Sequence, residues 1–227
     1  MHPKTTEYNM AINQKIFTFN LFAENTYILY NEAKEAFIID PGCSTPQECR
    51  TLSAFISEKG LKPIRMLLTH AHLDHVLGND FVSREYGLAP YMHKDDLELL
   101  HALAYSATFY GLDSAAPSPE PAGFLNDSDT LNLGETEFKI IFAPGHSKGS
   151  ICFYAPAEKK LWCGDVLFRE SIGRTDLPGG DFDTLANSIH HGLFSLPDDV
   201  TVYPGHGIPT TISHEKKYNP FVGQVAG

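Results

Sequence analysis

Apolar and polar positions along this chain follow two periods. The segments "KIFTF" (15–19), "TYILY" (26–30) and "AFIID" (36–40) are short, aromatic and β-branched, and read as β-strands; "DPG" at 40–42 makes the turn that ends them. The next stretch, "TPQECRTLSAFISEKG", changes to helix signals, with Thr45 as N-cap, Pro46 in the first turn, Glu48 completing a capping box and Gly60 just past the end. "IRMLL" (64–68) is a continuous apolar run of strand length, the pattern of a strand buried on both faces. In the second half "TLNL", "EFKIIFAP", "SICFYAP" and "KLWCG" predict four more strands. Phe182, Leu185, Ile189 and Leu193 recur at helical spacing, and "VTVYPGHG" (200–207) predicts a last strand and loop. This alternation predicts an α/β fold. The segment 105–127, aromatic at its start and proline-rich after, is longer than an ordinary connection, and reads equally as a functional loop or a disordered one.

Composition narrows the functional classes. With 227 residues, 42% of them hydrophobic, the chain can bury the core of one large domain. A net charge of -11 disfavours nucleic acid or an anionic membrane as partner. Neither a signal peptide nor an apolar run of membrane-spanning length is visible, so a cytoplasmic location is expected. Cys43, Cys49, Cys152 and Cys163 include no C-x-x-C pair and read as reduced thiols in or near the core.

The candidate chemistry lies in "LLTHAHLDHVLGN" (67–79), immediately after the apolar run. His70 and His72 are two apart, so on extended backbone their rings share one side and can hold a metal ion. Asp74 and His75 follow and can face a second ion. Random placement of this chain's histidines and aspartates would give about 0.002 matches to H-x-H-x-D-H, so chance does not explain it. His146 in "APGHSKGS", Asp165 in "LWCGDVLF" and His206 in "YPGHG" each follow a predicted strand. That places all of them on the rim of an α/β sheet where ligands bind. His190 and His191, near the edge of a helix's apolar face, and His93, His101 and His214, without motif context, read as structural or solvated; His2 reads as part of a mobile terminus.

"THAHLDH", "PGHSKGS", "CGDVLF" and "YPGHG", in this order, resemble the signatures of the metallo-β-lactamase superfamily, and most closely its glyoxalase II (hydroxyacylglutathione hydrolase) branch, over about residues 15–221. The resemblance implies a four-layer αββα sandwich with the metals at one edge between two sheets. Residues 1–14 are then an N-terminal extension and 15–227 the hydrolase domain. It implies that His70, His72 and His146 hold one metal, that Asp74, His75 and His206 hold a second, and that Asp165 bridges both. Asp40 matches a position that supports the metal site from behind its ligands, although Asp-Pro-Gly is also a good turn by itself. Nitrogen and carboxylate ligands suit two divalent ions, zinc foremost, with iron or manganese as alternatives. Two such ions would hold a bridging water acidic enough to give a hydroxide near neutral pH, with Asp74 as its orienting group.

The substrate is less determined. Long glyoxalase II enzymes follow the bridging aspartate with a Lys and a Tyr that contact glutathione, and add a helical C-terminal domain. Here the segment is "SIGRTDLPGG", with Arg174 at the Lys position and Asp176 at the Tyr position, and 21 residues follow His206. The expectation is therefore the short branch without that helical domain. Its small-molecule substrate would be a thioester of the S-(2-hydroxyacyl)glutathione type, with Arg174 gripping a carboxylate; the other reading of Arg174 is a surface arginine paired with Asp176. The alternatives are a persulfide dioxygenase with one iron, another small-molecule hydrolase of the superfamily, and a non-catalytic binding module. Oligomeric state is left open.

Overall fold

The computed structural model describes residues 12–112 and 115–223, so most of the expected N-terminal extension, His2 included, lies outside the described residues. Two six-stranded sheets form the centre. The first runs in chain order: β1 (Asn13–Phe19), β2 (Glu24–Tyr30), β3 (Glu35–Ile39), β4 (Lys62–Leu67), β5 (Pro90–Met92) and β6 (Gly123–Phe124), antiparallel as far as β3 and parallel from there on. The second contains β7 (Thr130–Leu133), β8 (Thr136–Phe142), β9 (Ile151–Ala155) and β10 (Lys160–Gly164). A ribbon of β11 (Leu167–Phe168) and β12 (Ser171–Ile172) follows, before β13 (Thr201–Pro204) and β14 (Thr210–Thr211) complete the second sheet in the order β14-β13-β10-β9-β8-β7.

Period-two alternation builds the layers. On β3, Phe37 and Ile39 face the other sheet while Ala36 and Ile38 face outward; on β9, Ile151 and Phe153 face inward while Cys152 and Tyr154 face outward. The inward residues form one core with Tyr27, Leu29, Phe138 and Trp162, and Trp162 stacks on Tyr203 at 5.5 Å. Outside the first sheet, α1 (Pro46–Lys59) packs Leu52 and Ile56 onto Ile38 and Met66. Outside the second, Leu185, Ile189 and Leu193 pack onto Leu161, Cys163 and Val202. The result is the αββα sandwich of the metallo-β-lactamase fold.

The N-terminus of α1 forms as its sequence dictates: the Glu48 backbone N–H donates to Thr45 Oγ1, the Thr45 N–H donates to Glu48 Oε2, and Gly60 closes the helix at φ 63°. Two expectations are corrected. The run "IRMLL" is buried only from Met66 onward; Ile64 is exposed and Arg65 half-buried, so the first half of the strand is not covered on both faces. The apolar helix of the second half is α-helical only over α6 (Phe182–Asn187), then widens to a π-turn at Ser188–Gly192 before a short 3₁₀ turn. The connections unread in the sequence hold α2 (Leu73–Val76), α3 (Asn79–Tyr86), α4 (Leu97–His101) and α5 (Leu103–Phe109), with α7 (Ile212–Tyr218) near the end. Thus 105–109, expected to be irregular, is helical, while the proline-rich 117–122 leads into β6 with the Ala122 and Leu125 N–H groups bonded to Pro90 and Met92 carbonyls. Among the described residues no helix is long and apolar enough to cross a membrane.

Candidate metal centre

The loops leaving β4, β8, β10 and β13 converge at one edge of the sandwich. They bring together seven side chains: His70, His72, Asp74, His75, His146, Asp165 and His206. In one cluster His72 Nδ1 lies 2.8 Å from His146 Nε2, which lies 3.2 Å from His70 Nε2. In the other, Asp74 Oδ2 lies 3.1 Å from His206 Nε2 and 3.6 Å from His75 Nε2. Asp165 stands between them, with Oδ1 3.4 Å from His75 Nε2 and Oδ2 3.6 Å from His146 Nε2 and 3.5 Å from His206 Nε2. Each triad, His70–His72–His146 and Asp74–His75–His206, presents donor atoms close enough to share one ion.

The far nitrogens of four histidines fix which lone pairs point inward. His146 Nδ1 faces the Arg174 carbonyl at 2.8 Å, and His206 Nδ1 faces the Phe22 carbonyl at 3.1 Å. His75 Nδ1 is 3.1 Å from Asp40 Oδ2. Thr69 Oγ1 donates to the same carboxylate oxygen at 2.6 Å, so it is free to accept from His70 Nδ1 at 3.1 Å. With each outer nitrogen donating its proton, the four Nε2 lone pairs meet inside the site, an arrangement that is repulsive without a cation between them. His75 Nε2 and Asp165 Oδ1 are both buried and neither has a hydrogen-bond partner. Buried polar atoms left without partners are costly, and a metal would satisfy both. The donor set fits divalent zinc, iron or manganese.

Charge divides the two clusters. Burial, reinforced by the neighbouring imidazoles, holds His70 well below its ordinary pKa and His72 down to about 3. In the second cluster burial opposes the shifts but the charges outweigh it. Asp165 and Asp74 are held below the usual carboxylate range, chiefly by His75, while His75 is raised by both carboxylates and His206 to about 10. That cluster therefore attracts positive charge, as protons or as a divalent ion.

Asp40 sits at φ 48°, left-handed for a non-glycine residue, and is held there by the Thr69 backbone N–H at 2.7 Å and the Thr69 hydroxyl. It meets His70 and His75 closely enough to form a third possible donor set, but its oxygens are already engaged by Thr69 and His75. Arg174 departs from its expected part. Its exposed guanidinium is held in a two-pronged ion pair by Asp176, with both contacts at 2.7 Å, so its reach is toward a neighbour in its own loop and its backbone carbonyl is what serves the site. His190, His191 and His101 are exposed, His93 is buried against Phe142, and His214 pairs with Glu170, in line with structural or solvated roles.

Several supporting residues escaped the sequence. Asp96, fully buried, accepts from the Ala71 N–H at 3.0 Å, the Gly149 N–H at 2.6 Å and the Ser147 hydroxyl at 2.7 Å, tying the His70–His72 loop to the His146 loop. Asn20 Nδ2 donates to the carbonyls of Gly42 and Asp74, both at 2.9 Å. Glu24 is buried beneath His75 and accepts from the Thr26 hydroxyl. At Gly205 any Cβ would collide with Asp165 Oδ1 and stand 2.7 Å from His75 Cε1. The one sequence signal for this last residue is the glycine directly before His206.

The comparisons with known proteins cover the part of the chain that carries these residues. The family model of the metallo-beta-lactamase superfamily matches residues 20–206. Hydroxyacylglutathione hydrolase GloC of Haemophilus influenzae is 36% identical over 212 residues, 93% of this chain and 98% of that protein. Among solved structures, the BLEG-1 B3 metallo-beta-lactamase superposes with a TM-score of 0.84 at 37% identity, covering 92% of this chain and 99% of the other. TTHA1623 in a di-iron-bound form gives 0.82 at 36% identity, covering 91% and 99%.

Proposed function

This chain belongs to the metallo-β-lactamase superfamily, and from that premise we propose that it is a thioester hydrolase of the glyoxalase II type working with two divalent metal ions. The observation that carries the reading is Asp165, whose carboxylate lies between the two donor clusters, with Oδ2 beside both His146 and His206 and Oδ1 beside His75. His70, His72 and His146 would hold one ion, Asp74, His75 and His206 the other, and Asp165 both. Zinc is the first expectation, and iron is supported by the di-iron form of TTHA1623. Two ions there would supply Lewis acidity at the thioester carbonyl and an acidified water as nucleophile.

The protein's own groups do the rest. Asp74 Oδ2, at the open side of the second cluster, can accept a hydrogen bond from the attacking water and aim its lone pair at the acyl carbon. The bonds from the outer histidine nitrogens to Asp40, Thr69, Arg174 and Phe22 hold the rings in place while charge moves to the carbonyl oxygen and the thiolate departs. Hydrolysis of an S-(2-hydroxyacyl)glutathione is favoured by the GloC relative, which covers nearly the whole chain. Metal analysis of the purified protein, paired with cleavage of S-lactoylglutathione, a β-lactam hydrolysis assay and oxygen uptake on glutathione persulfide, tests this. Two metals with thioester cleavage support it. One iron with oxygen uptake, or β-lactam hydrolysis without thioester cleavage, overturns it.

A further inference from the structure

Behind the Asp40 turn, away from the seven converging side chains, lies a cavity of ≈ 590 Å³ walled by Cys43, Cys49, Arg50, Phe81 and Arg84. Two of this chain's four cysteines meet there. Cys49, in the first turns of α1, is half-buried; Cys43, in the loop before the helix, is buried. The two cysteines line the same cavity, and the Cys49 thiol donates to the Cys43 carbonyl at 4.0 Å. Their mutual interaction raises the pKa of Cys43 and lowers that of Cys49, and the Arg84 charge adds to the second effect. The accessible sulfur is thus also the better nucleophile. Arg50 donates to the neutral Gln47 amide, and Arg84 is shared with Asp80, so cationic groups stand at the wall beside it.

Cys43 is also joined to the metal centre. It follows the Asp40–Pro41–Gly42 turn, whose aspartate holds His75 Nδ1. Its sulfur fills the notch left by Gly78, where a Cβ would stand 2.6 Å away, and the Gly78 N–H donates to the Pro41 carbonyl at 2.7 Å. Gly78 itself lies three residues after His75. Any pull on Cys43 therefore acts on both chain segments that position His75.

We propose that Cys43 and Cys49 are a redox couple, oxidised to a disulfide by a low-molecular-weight disulfide entering this cavity, and that closure loosens the turn that orients His75. The Cys49 thiolate attacks one sulfur of the incoming disulfide, whose S–S bond breaks, and the released thiolate takes up the proton that Cys49 gave up. Cys43 then attacks Cys49 Sγ, the mixed disulfide breaks, and a second thiol leaves with the Cys43 proton. Two protein thiols and one small disulfide become one protein disulfide and two small thiols. The six-residue span between a loop and a helix disfavours relaxed disulfide geometry, which suits a bond that is readily reduced again.

The effect on metal rests on the metal-centre reading above; the thiol chemistry does not. Full-length, metal-loaded protein is incubated anaerobically with glutathione disulfide and digested with trypsin without reductant. Residues 35–50 form one tryptic peptide carrying both cysteines. The expected result is that this peptide becomes two hydrogens lighter, passing through a glutathione adduct on Cys49, and that dithiothreitol reverses the change. Cys49→Ser, which touches no metal-centre residue, should keep its resting metal content and show no adduct on buried Cys43. In parallel, metal release to a chelator should be about tenfold faster from oxidised wild type and unchanged in Cys49→Ser. A peptide that stays a dithiol, an adduct that persists without closing, or equal modification of Cys43 in the serine variant overturns the couple. A disulfide that forms without altering metal release overturns its link to His75. Protein that binds no metal at all refutes the proposed function instead, and the peptide mass still reports on the couple.

Discussion

Replacing Asp40 with Asn isolates the support of the metal site from its ligands. The carboxylate accepts from the Thr69 N–H at 2.7 Å, the Thr69 hydroxyl at 2.6 Å and His75 Nδ1 at 3.1 Å. Asn has nearly the same shape and tolerates the left-handed backbone, and its remaining carbonyl oxygen can keep the Thr69 N–H. Its amide nitrogen cannot accept, so the other two bonds to the second oxygen are lost. Hydrogen bonds to a charged group contribute about 1.5–3 kcal/mol each, and the Thr69 hydroxyl can turn to another acceptor, so a loss of about 2–4 kcal/mol in the metal-free protein is expected. Asp40→Ala should cost about 1–2 kcal/mol more, because alanine resists a φ of 48°. Metal affinity should fall by about 10–100-fold in the Asn variant, since His75 loses the bond that fixes its tautomer and orientation. Urea unfolding of metal-free protein reads the first quantity and titration against a competing chelator the second. An Asn variant destabilised as stated but binding metal within about twofold of wild type would refute the supporting role of Asp40.

Gly205→Ala should abolish turnover and reduce bound metal in a protein that still folds, because the added methyl displaces the Asp165 carboxylate; metal analysis and circular dichroism check it. The raised pKa of His75 and His206, to about 10 for the latter, means that metal entering the second cluster must displace protons, so affinity should rise with pH across 6 to 9; a flat profile in a chelator titration would contradict this. In the metal-free protein the same elevation stabilises the fold fully below pH 6.5, and that contribution should disappear as pH rises through about 10, as read by urea unfolding. With Asp176 occupying its guanidinium, Arg174→Ala should leave KM for a carboxylate-bearing thioester within about twofold, and a large selective rise would restore a substrate-anchoring role.

What the sequence reveals here is what is local or repeated. The α1 capping box joins residues three apart, and the sandwich follows from period-two alternation in strands such as β3 and β9. The seven converging side chains were legible because each lies in a segment that leaves the end of an apolar strand, and the sheet carries strand ends to a common edge. Asp96 was not legible: in "HKDDLELL" it looks like one of a run of surface acids, and its partners Ala71 and Ser147 lie 25 and 51 residues away. Glu24 and Asn20 were hidden for the same reason, since a polar residue in a hairpin loop or at the strand end beside it reads as solvated until another loop folds over it. Ile64 was misread because apolarity alone cannot say which residues of a strand the other layers cover. For Arg174 the sequence offers both readings, a substrate anchor and a surface pair with Asp176 two residues on, and the side-chain rotamer that decides between them is not encoded by residue types.

The most direct measurement is the metal content and thioester turnover of Asp165→Ala beside wild type, prepared identically and freed of loosely held metal. Asp165 has a carboxylate oxygen within 3.6 Å of donors in both clusters, and the account predicts two ions per chain in wild type, at most one in the variant, and no detectable turnover. A folded Asp165→Ala protein that keeps two ions and near-normal thioester cleavage would contradict it.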